Sequence, residues 1–239
     1  MTSNIQHRLR DVQRFYDTLD RLSEKIGGPR LLKYCSGRLN WPKRGIYFFF
    51  ESGEDRTTSG IGNRVVRVGT HALKAGGQTT LWSRLLQHRG TIKGGGGNHR
   101  GSVFRHHVGT AFINRDDWPA DQSRYWNRGS SAPKEIRQVE KPVERAVSSY
   151  IRDMPFLWLK VDDEPGPNSR RGFIERNAIA LLSNYHFPEN PIDPPSTDWL
   201  GRWAKSEPIS ISGLWNVNHV TDMYDPSFLD TLREYMLTL

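Results

Sequence analysis

Arg84 and His88 stand four residues apart in Thr79-Thr80-Leu-Trp-Ser-Arg-Leu-Leu-Gln-His88. Thr79 or Thr80 can cap a short helix there, with Leu81, Leu85 and Leu86 facing inward, and the spacing puts the guanidinium and the imidazole on one face. The chemistry they serve is indicated by the charge around them. Between Arg56 and Arg115 there is no acidic residue, yet these 60 positions hold ten Lys or Arg (Arg56, Arg64, Arg67, Lys74, Arg84, Arg89, Lys93, Arg100, Arg105, Arg115) and five His. The block is +10 in a chain of net +8, so the remainder is −2. An acid-free basic block points to a polyanion, because Lys and Arg bound to phosphates release counterions. A solubilising face is the competing reading; an acidic membrane surface is disfavoured for want of a basic amphipathic helix. His99, Arg100, Arg105, His106 and His107 form the densest part. They could hold a metal, but on a strand adjacent histidines point to opposite faces, so phosphate contact by Lys93, His99, Arg100, Arg105 and His107 is the expectation, with an exposed strand face as the alternative.

The elements that must position these groups belong to a chain of 239 residues, 36% hydrophobic and 25% charged. That is enough core for one compact domain, too apolar for disorder and too interrupted by charge for a membrane span. The single cysteine, Cys35, excludes an internal disulfide, and no signal-peptide core follows the start, so a cytoplasmic location is expected. Ile5 to Ile26 repeats at three to four as a helix that Ser3 can cap and Gly27-Gly28-Pro29 ends. Gly45 to Glu51 and Arg64 to Gly69 read as a strand pair closed by a long polar loop, Ser52 to Asn63. The tetraglycine Gly94 to Gly97 lacks the context of a phosphate loop and reads as a mobile loop. Ser102 to Ile113 reads as a strand, Pro142 to Ile151 as a helix, Pro155 to Val161 as a strand, Phe173 to Tyr185 as a helix with Glu175 near its start, and Asp225 to Leu239 as a capped helix. In Ser210 to His219, Trp215 is expected in the core and the polar groups in turns, not in base readout.

In chain order these are a strand with Gly45-Ile46-Tyr47, a strand with Arg67-Val68-Gly69, a helix with Arg84 and His88, and a helix with Glu175. The order resembles the GIY-YIG nucleases, over Arg44 to about Asn190. The resemblance implies an α+β fold: a small antiparallel sheet flanked by helices, here with an N-terminal helical extension (1–40), a core in two pieces (41–90 and 155–190), a basic insertion (91–154) and a C-terminal extension (191–239). It also implies a divalent-metal endonuclease that cleaves a phosphodiester by in-line attack of water. Tyr47 would be the base or its relay; an ordinary phenol ionises near pH ~10, so the role needs positive charge nearby. Arg84 would clamp the scissile phosphate, His88 would assist proton transfer or hold the phosphate, and Glu175 would bind one Mg2+ or Mn2+ completed by water and phosphate oxygens. The competing readings are a buried strand aromatic for Tyr47, exposed surface residues for Arg84 and His88, and a first-turn dipole partner for Glu175.

Two departures stand out. Arg67 replaces the family's second tyrosine, so it would either act on Tyr47 or bind the phosphate. The asparagine after the acidic helix is ambiguous between Asn184 and Asn190. With no zinc finger or helicase segment visible, the chain resembles the restriction branch, which implies double-stranded DNA as partner, a possible homodimer and a role in defence. A structure-selective repair nuclease, or a non-catalytic nucleic-acid-binding module on a degenerate nuclease fold, are the alternatives.

Overall fold

The computed structural model describes residues 2–126 and 129–239, with side chains from Asn4 onward. The first helix, α1 (Thr2–Ile26), buries the stripe Val12, Phe15, Tyr16, Leu19 and Leu22 and stops where Gly27 and Gly28 take φ of 79° and 91°. Ser3, offered by the sequence as its cap, has its side chain outside the described residues.

Four strands follow, β1 (Arg30–Leu31), β2 (Gly45–Asp55), β3 (Asn63–Gly69) and β4 (Pro155–Lys160), in one antiparallel sheet of order β1-β4-β2-β3. The architecture is α+β, a small antiparallel sheet flanked by helices. The β2–β3 loop is shorter than the sequence suggests, because β2 runs on to Asp55 and leaves only Arg56 to Gly62 outside the strands. Its tip is tied down by buried Asp193, whose Oδ1 accepts the N–H groups of Thr57, Thr58 and Ser59 at 2.8–2.9 Å.

The helices are α2 (Leu81–Arg89), α3 (Val103–Arg115), α4 (Ala120–Ser123), α5 (Lys134–Val139), α6 (Lys141–Asp153), α7 (Arg170–Leu182), α8 (Glu207–Ser212) and α9 (Phe228–Leu237). One face of the sheet (Ile46, Phe48, Val65, Val68) packs on α1, α7 and α9. The other (Tyr47, Phe49, Val66, Phe156) packs on α2, α3 and α6 and on Trp199 and Trp215. Each large side chain so buried contributes about 1.5–3 kcal/mol, so helices on both faces hold these short strands more than the ladder does. In α2, Leu86 is 39% exposed, being rotated out of the stripe that buries Leu81 and Leu85.

The segment Ser102 to Ile113 is not a strand. It is α3, capped by the Ser102 side chain, and it buries Phe104, Arg105, Val108, Gly109, Thr110 and Ala111. A helix covered on several sides shows no single apolar stripe, and its β-branched and aromatic residues imitate a strand in sequence. Gly109 is required there, because a Cβ would lie 2.0 Å from the Trp126 ring.

In the pairing of β2 with β3, Phe49 faces Arg67 but Phe50 faces Val65, so Val66 is an extra residue on β3. Its carbonyl accepts the Trp215 N–H at 2.7 Å, and the Asn216 side chain bonds the N–H and C=O of Val68 at 3.1 and 2.8 Å. The outer edge of β3 is thereby closed from within the chain. Trp215 is in the core, as expected, and Asn216 serves the backbone.

Candidate active site

Tyr47 lies on a rung of the sheet with Trp158 of β4 on one side and Gly69 of β3 on the other. Its ring leans across Gly69, where a Cβ would come within 2.3 Å of the phenolic oxygen. Glycine at 69 is what leaves room for the tyrosine. The phenol meets His88 Nε2 at 2.8 Å, and His88 Nδ1 meets Ser102 Oγ at 2.8 Å. Phe49 and Phe104 pack edge-on against the His88 ring. Burial, reinforced by Arg84, Arg67 and Arg105, holds the His88 pKa well below its ordinary value. A neutral imidazole has one donor and one acceptor nitrogen, so Tyr47, His88 and Ser102 form a chain that can pass a proton. Ser102 owes its place to capping α3, accepting the Arg105 N–H at 3.3 Å.

Arg67 projects from β3 on the same face as Tyr47 and is buried. It donates from Nη1 to the Trp215 carbonyl and lies 4.6 Å over the Phe104 ring, while its Nε has no partner among the described residues. Burial lowers its pKa; Tyr47 and Glu175 act against that and Arg84 adds to it. Among the described residues, half-buried Arg84 bonds only the exposed Gln87, Nη1 to Oε1 at 2.9 Å. Glu175 arrives from the other side of the sheet on α7, its Oε1 accepting the Thr70 N–H at 3.0 Å just past the end of β3. Burial raises its pKa against the Thr70 N–H, Arg67, His219 and Arg84. It is the sixth residue of α7, whose first turn is capped by Ser169, so the dipole reading of this glutamate does not fit its place.

Tyr47, His88, Arg67, Arg84 and Glu175 therefore meet at the C-terminal end of β3. Glu175 uses one carboxylate oxygen on the backbone, and the other has no hydrogen bond among the described residues. No group of three His, Cys, Asp or Glu that could hold a metal occurs among those residues. One hard oxygen donor beside arginines suits a cation that keeps waters and shares phosphate oxygens, so the residues present fit a single divalent ion.

Other expected site residues lie elsewhere. Arg105 is a correction: its side chain is 0% exposed, paired with Glu144 and bonded to the His88 carbonyl and Ser148 Oγ, both at 2.8 Å. Arg100 pairs with both oxygens of Glu140 at 2.7 Å, its side chain 4% exposed. His99 is buried against Trp126, at 3.9 Å between ring centroids, with Nδ1 3.0 Å from Glu144. Burial and salt bridging remove these three from direct reach of a phosphate backbone. On α3, His106 and His107 are successive residues about 100° apart, not on opposite faces of a strand. His107 is half-buried and Lys93 exposed. Neither asparagine reaches the site: Asn184 is buried and bonds Arg8 and Ile192, and Asn190 is exposed in a proline-rich turn. Sequence reasoning missed Ser102, Thr70 and Asn216, whose only signal is a cap, a strand end and a distant backbone.

A family model described as the GIY-YIG domain matches residues 6–239, nearly the whole chain. The chain belongs to the GIY-YIG family. Searches of the curated proteins and of the solved structures found no match. GIY-YIG proteins are endonucleases that hydrolyse phosphodiester bonds, generally with a divalent metal, and the domain implies a DNA substrate. No helix among the described residues is long and apolar enough to cross a membrane. In this member the second motif reads Arg67-Val68-Gly69, and it keeps the glycine that the Tyr47 ring covers.

Proposed function

We propose that this GIY-YIG protein is a metal-dependent DNA endonuclease of the restriction or defence type, cutting both strands in the cytoplasm, as a homodimer. The observation that carries the reading is the 2.8 Å contact between Tyr47 and a neutral, buried His88, beside Arg67, Arg84 and Glu175. With its proton on Nδ1 toward Ser102, His88 accepts the Tyr47 proton at Nε2 as Tyr47 takes one from the attacking water. Arg84 grips the scissile phosphate, and Arg67 supplies fixed positive charge where the family has a tyrosine. Glu175 would hold Mg2+ or Mn2+, which when bound adds positive charge against the negative charge that develops on the phosphate. Lys93 and His107 remain as contacts to the duplex.

Supercoiled plasmid and phage DNA, incubated with wild type or Glu175→Ala in Mg2+, Mn2+ or chelator, test this on a gel. Discrete bands that need metal and vanish in the variant are expected, with a rate loss on the order of 10²- to 10⁴-fold for Tyr47→Phe. Nicks or smears with the same dependence would move the role to a structure-selective or non-specific nuclease. The replacement of a motif tyrosine by Arg67 favours a second reading, a non-catalytic binding module; salt-sensitive DNA binding without any product would establish it.

A further inference from the structure

His71 lies two residues beyond Gly69 and is used by none of the steps above. It is 6% exposed, and Nδ1 stands 2.8 Å from the Thr79 carbonyl. A carbonyl can only accept, so the ring proton is on Nδ1 and Nε2 carries a bare lone pair. That Nε2 is buried without a hydrogen-bond partner among the described residues. The ring cannot readily turn to find one. Its carbonyl is held by Arg171 Nη1 at 2.7 Å, and the preceding N–H, of Thr70, is held by Glu175.

The place of this acceptor matters. The bond to Thr79 docks the imidazole against the residue before Thr80, the N-cap of α2. Arg84, four residues past Thr80, stands one turn of α2 above that same end. Three cations, Arg171, Arg84 and Arg44, act on His71 and help burial hold it neutral. Arg171 is engaged by Asp163 and the His71 carbonyl, and Arg44 by Asp163 and Glu164. Among the described residues, Arg84 is engaged only by a surface glutamine.

We propose that His71 is a positioning residue for Arg84, its Nε2 accepting an N–H so that the guanidinium presents a fixed edge to the scissile phosphate. The proposal rests on the endonuclease reading for its consequence in catalysis, and its test separates the two. In His71→Asn the side-chain amide keeps the donor to Thr79 and removes the acceptor; in His71→Gln the amide oxygen reaches about as far as Nε2. His71→Asn is expected to melt close to wild type and to lose about 10- to 100-fold in kcat with KM nearly unchanged, and His71→Gln to regain most of it. Cleavage by His71→Asn at the wild-type rate overturns the proposal. A second measurement asks for no cleavage: the ¹⁵N resonance of His71 Nε2, in chelator, before and after a short DNA duplex. It should move away from the bare lone-pair position in wild type but not in Arg84→Met. An unmoved wild-type resonance overturns the proposal even if the enzyme cuts, and a wild type that never cuts overturns the endonuclease reading alone.

Discussion

Glu175 is held where its charge is unwelcome, between its own helix α7 and the end of β3, with a single backbone N–H on one oxygen. Burial sets its folded pKa above the ordinary 4.5. Between those two values the folded chain binds a proton that the unfolded chain has released, so stability falls as pH rises through the window. Above it, the ionised carboxylate is a standing cost that a bound cation would offset. Glu175→Gln should therefore abolish plasmid cleavage yet raise the melting temperature near pH 7, with the gain shrinking as pH falls through the folded pKa toward 4.5 and gone below it. A variant that melts lower than wild type at pH 7 would show that the carboxylate is structural. At this scale the sequence is informative where a role depends on a local pattern. Tyr47 in its tripeptide and Arg84 with His88 on one turn are legible, and the structure brings them together. Ser102 and His71 are not legible, because what marks them is a partner 14 residues away in one case and an unpaired atom in the other.

The elements between α2 and β4 correct the idea that this stretch is a basic surface. Arg105 of α3 and Glu144 of α6 form a pair with side chains 0% and 6% exposed, and the guanidinium reaches over to the α2 carbonyl of His88. The tetraglycine, which reads in sequence as a mobile loop, is part of this joint, since a Cβ on Gly97 would lie 2.3 Å from the Arg105 guanidinium carbon. Removing one partner of a buried pair strands the other charge. Glu144→Ala should lose about 3–5 kcal/mol in urea unfolding, and Arg105→Met with Glu144→Leu should recover much of it. A loss below about 1 kcal/mol for the single variant would mean that water reaches Arg105. The helix reads as a strand in sequence because it is enclosed on several sides, so its apolar pattern shows no clear helical period. The outer helices α1 and α6 each keep one wet face and are legible.

Over the whole molecule, the acid-free block does not stay uncompensated when folded. Arg56, Arg64, Arg100, Arg105 and Arg115, five of its ten cations, pair with Asp20, Glu54, Glu140, Glu144 and Asp116, all outside the block. Local charge counting could not foresee most of this, because the partners of Arg56, Arg100 and Arg105 lie 36 to 40 residues away along the chain. Packing treats four of the block's histidines differently, keeping them neutral. Burial lowers the pKa of His88 well below 6.5, of His71 and His107 to about 4, and of His106 by less. Below pH 6.5 the unfolded chain takes up these protons before the folded one does, so each histidine withdraws stability as the pH falls. Glu51 and Glu175, raised from 4.5, and Asp20, raised from 3.8, act in the opposite sense, but they are three groups against four. Depressed Glu144 and Asp163 add to the loss only lower still, as pH drops through their own folded values. The melting temperature should thus fall steadily from pH 7 to pH 5, and the fall should be shallower in His107→Gln, which removes one of the four. A melting temperature that is flat or rising over that range would mean that these rings are protonated in the folded protein, and a protonated His88 has no lone pair with which to take the Tyr47 proton.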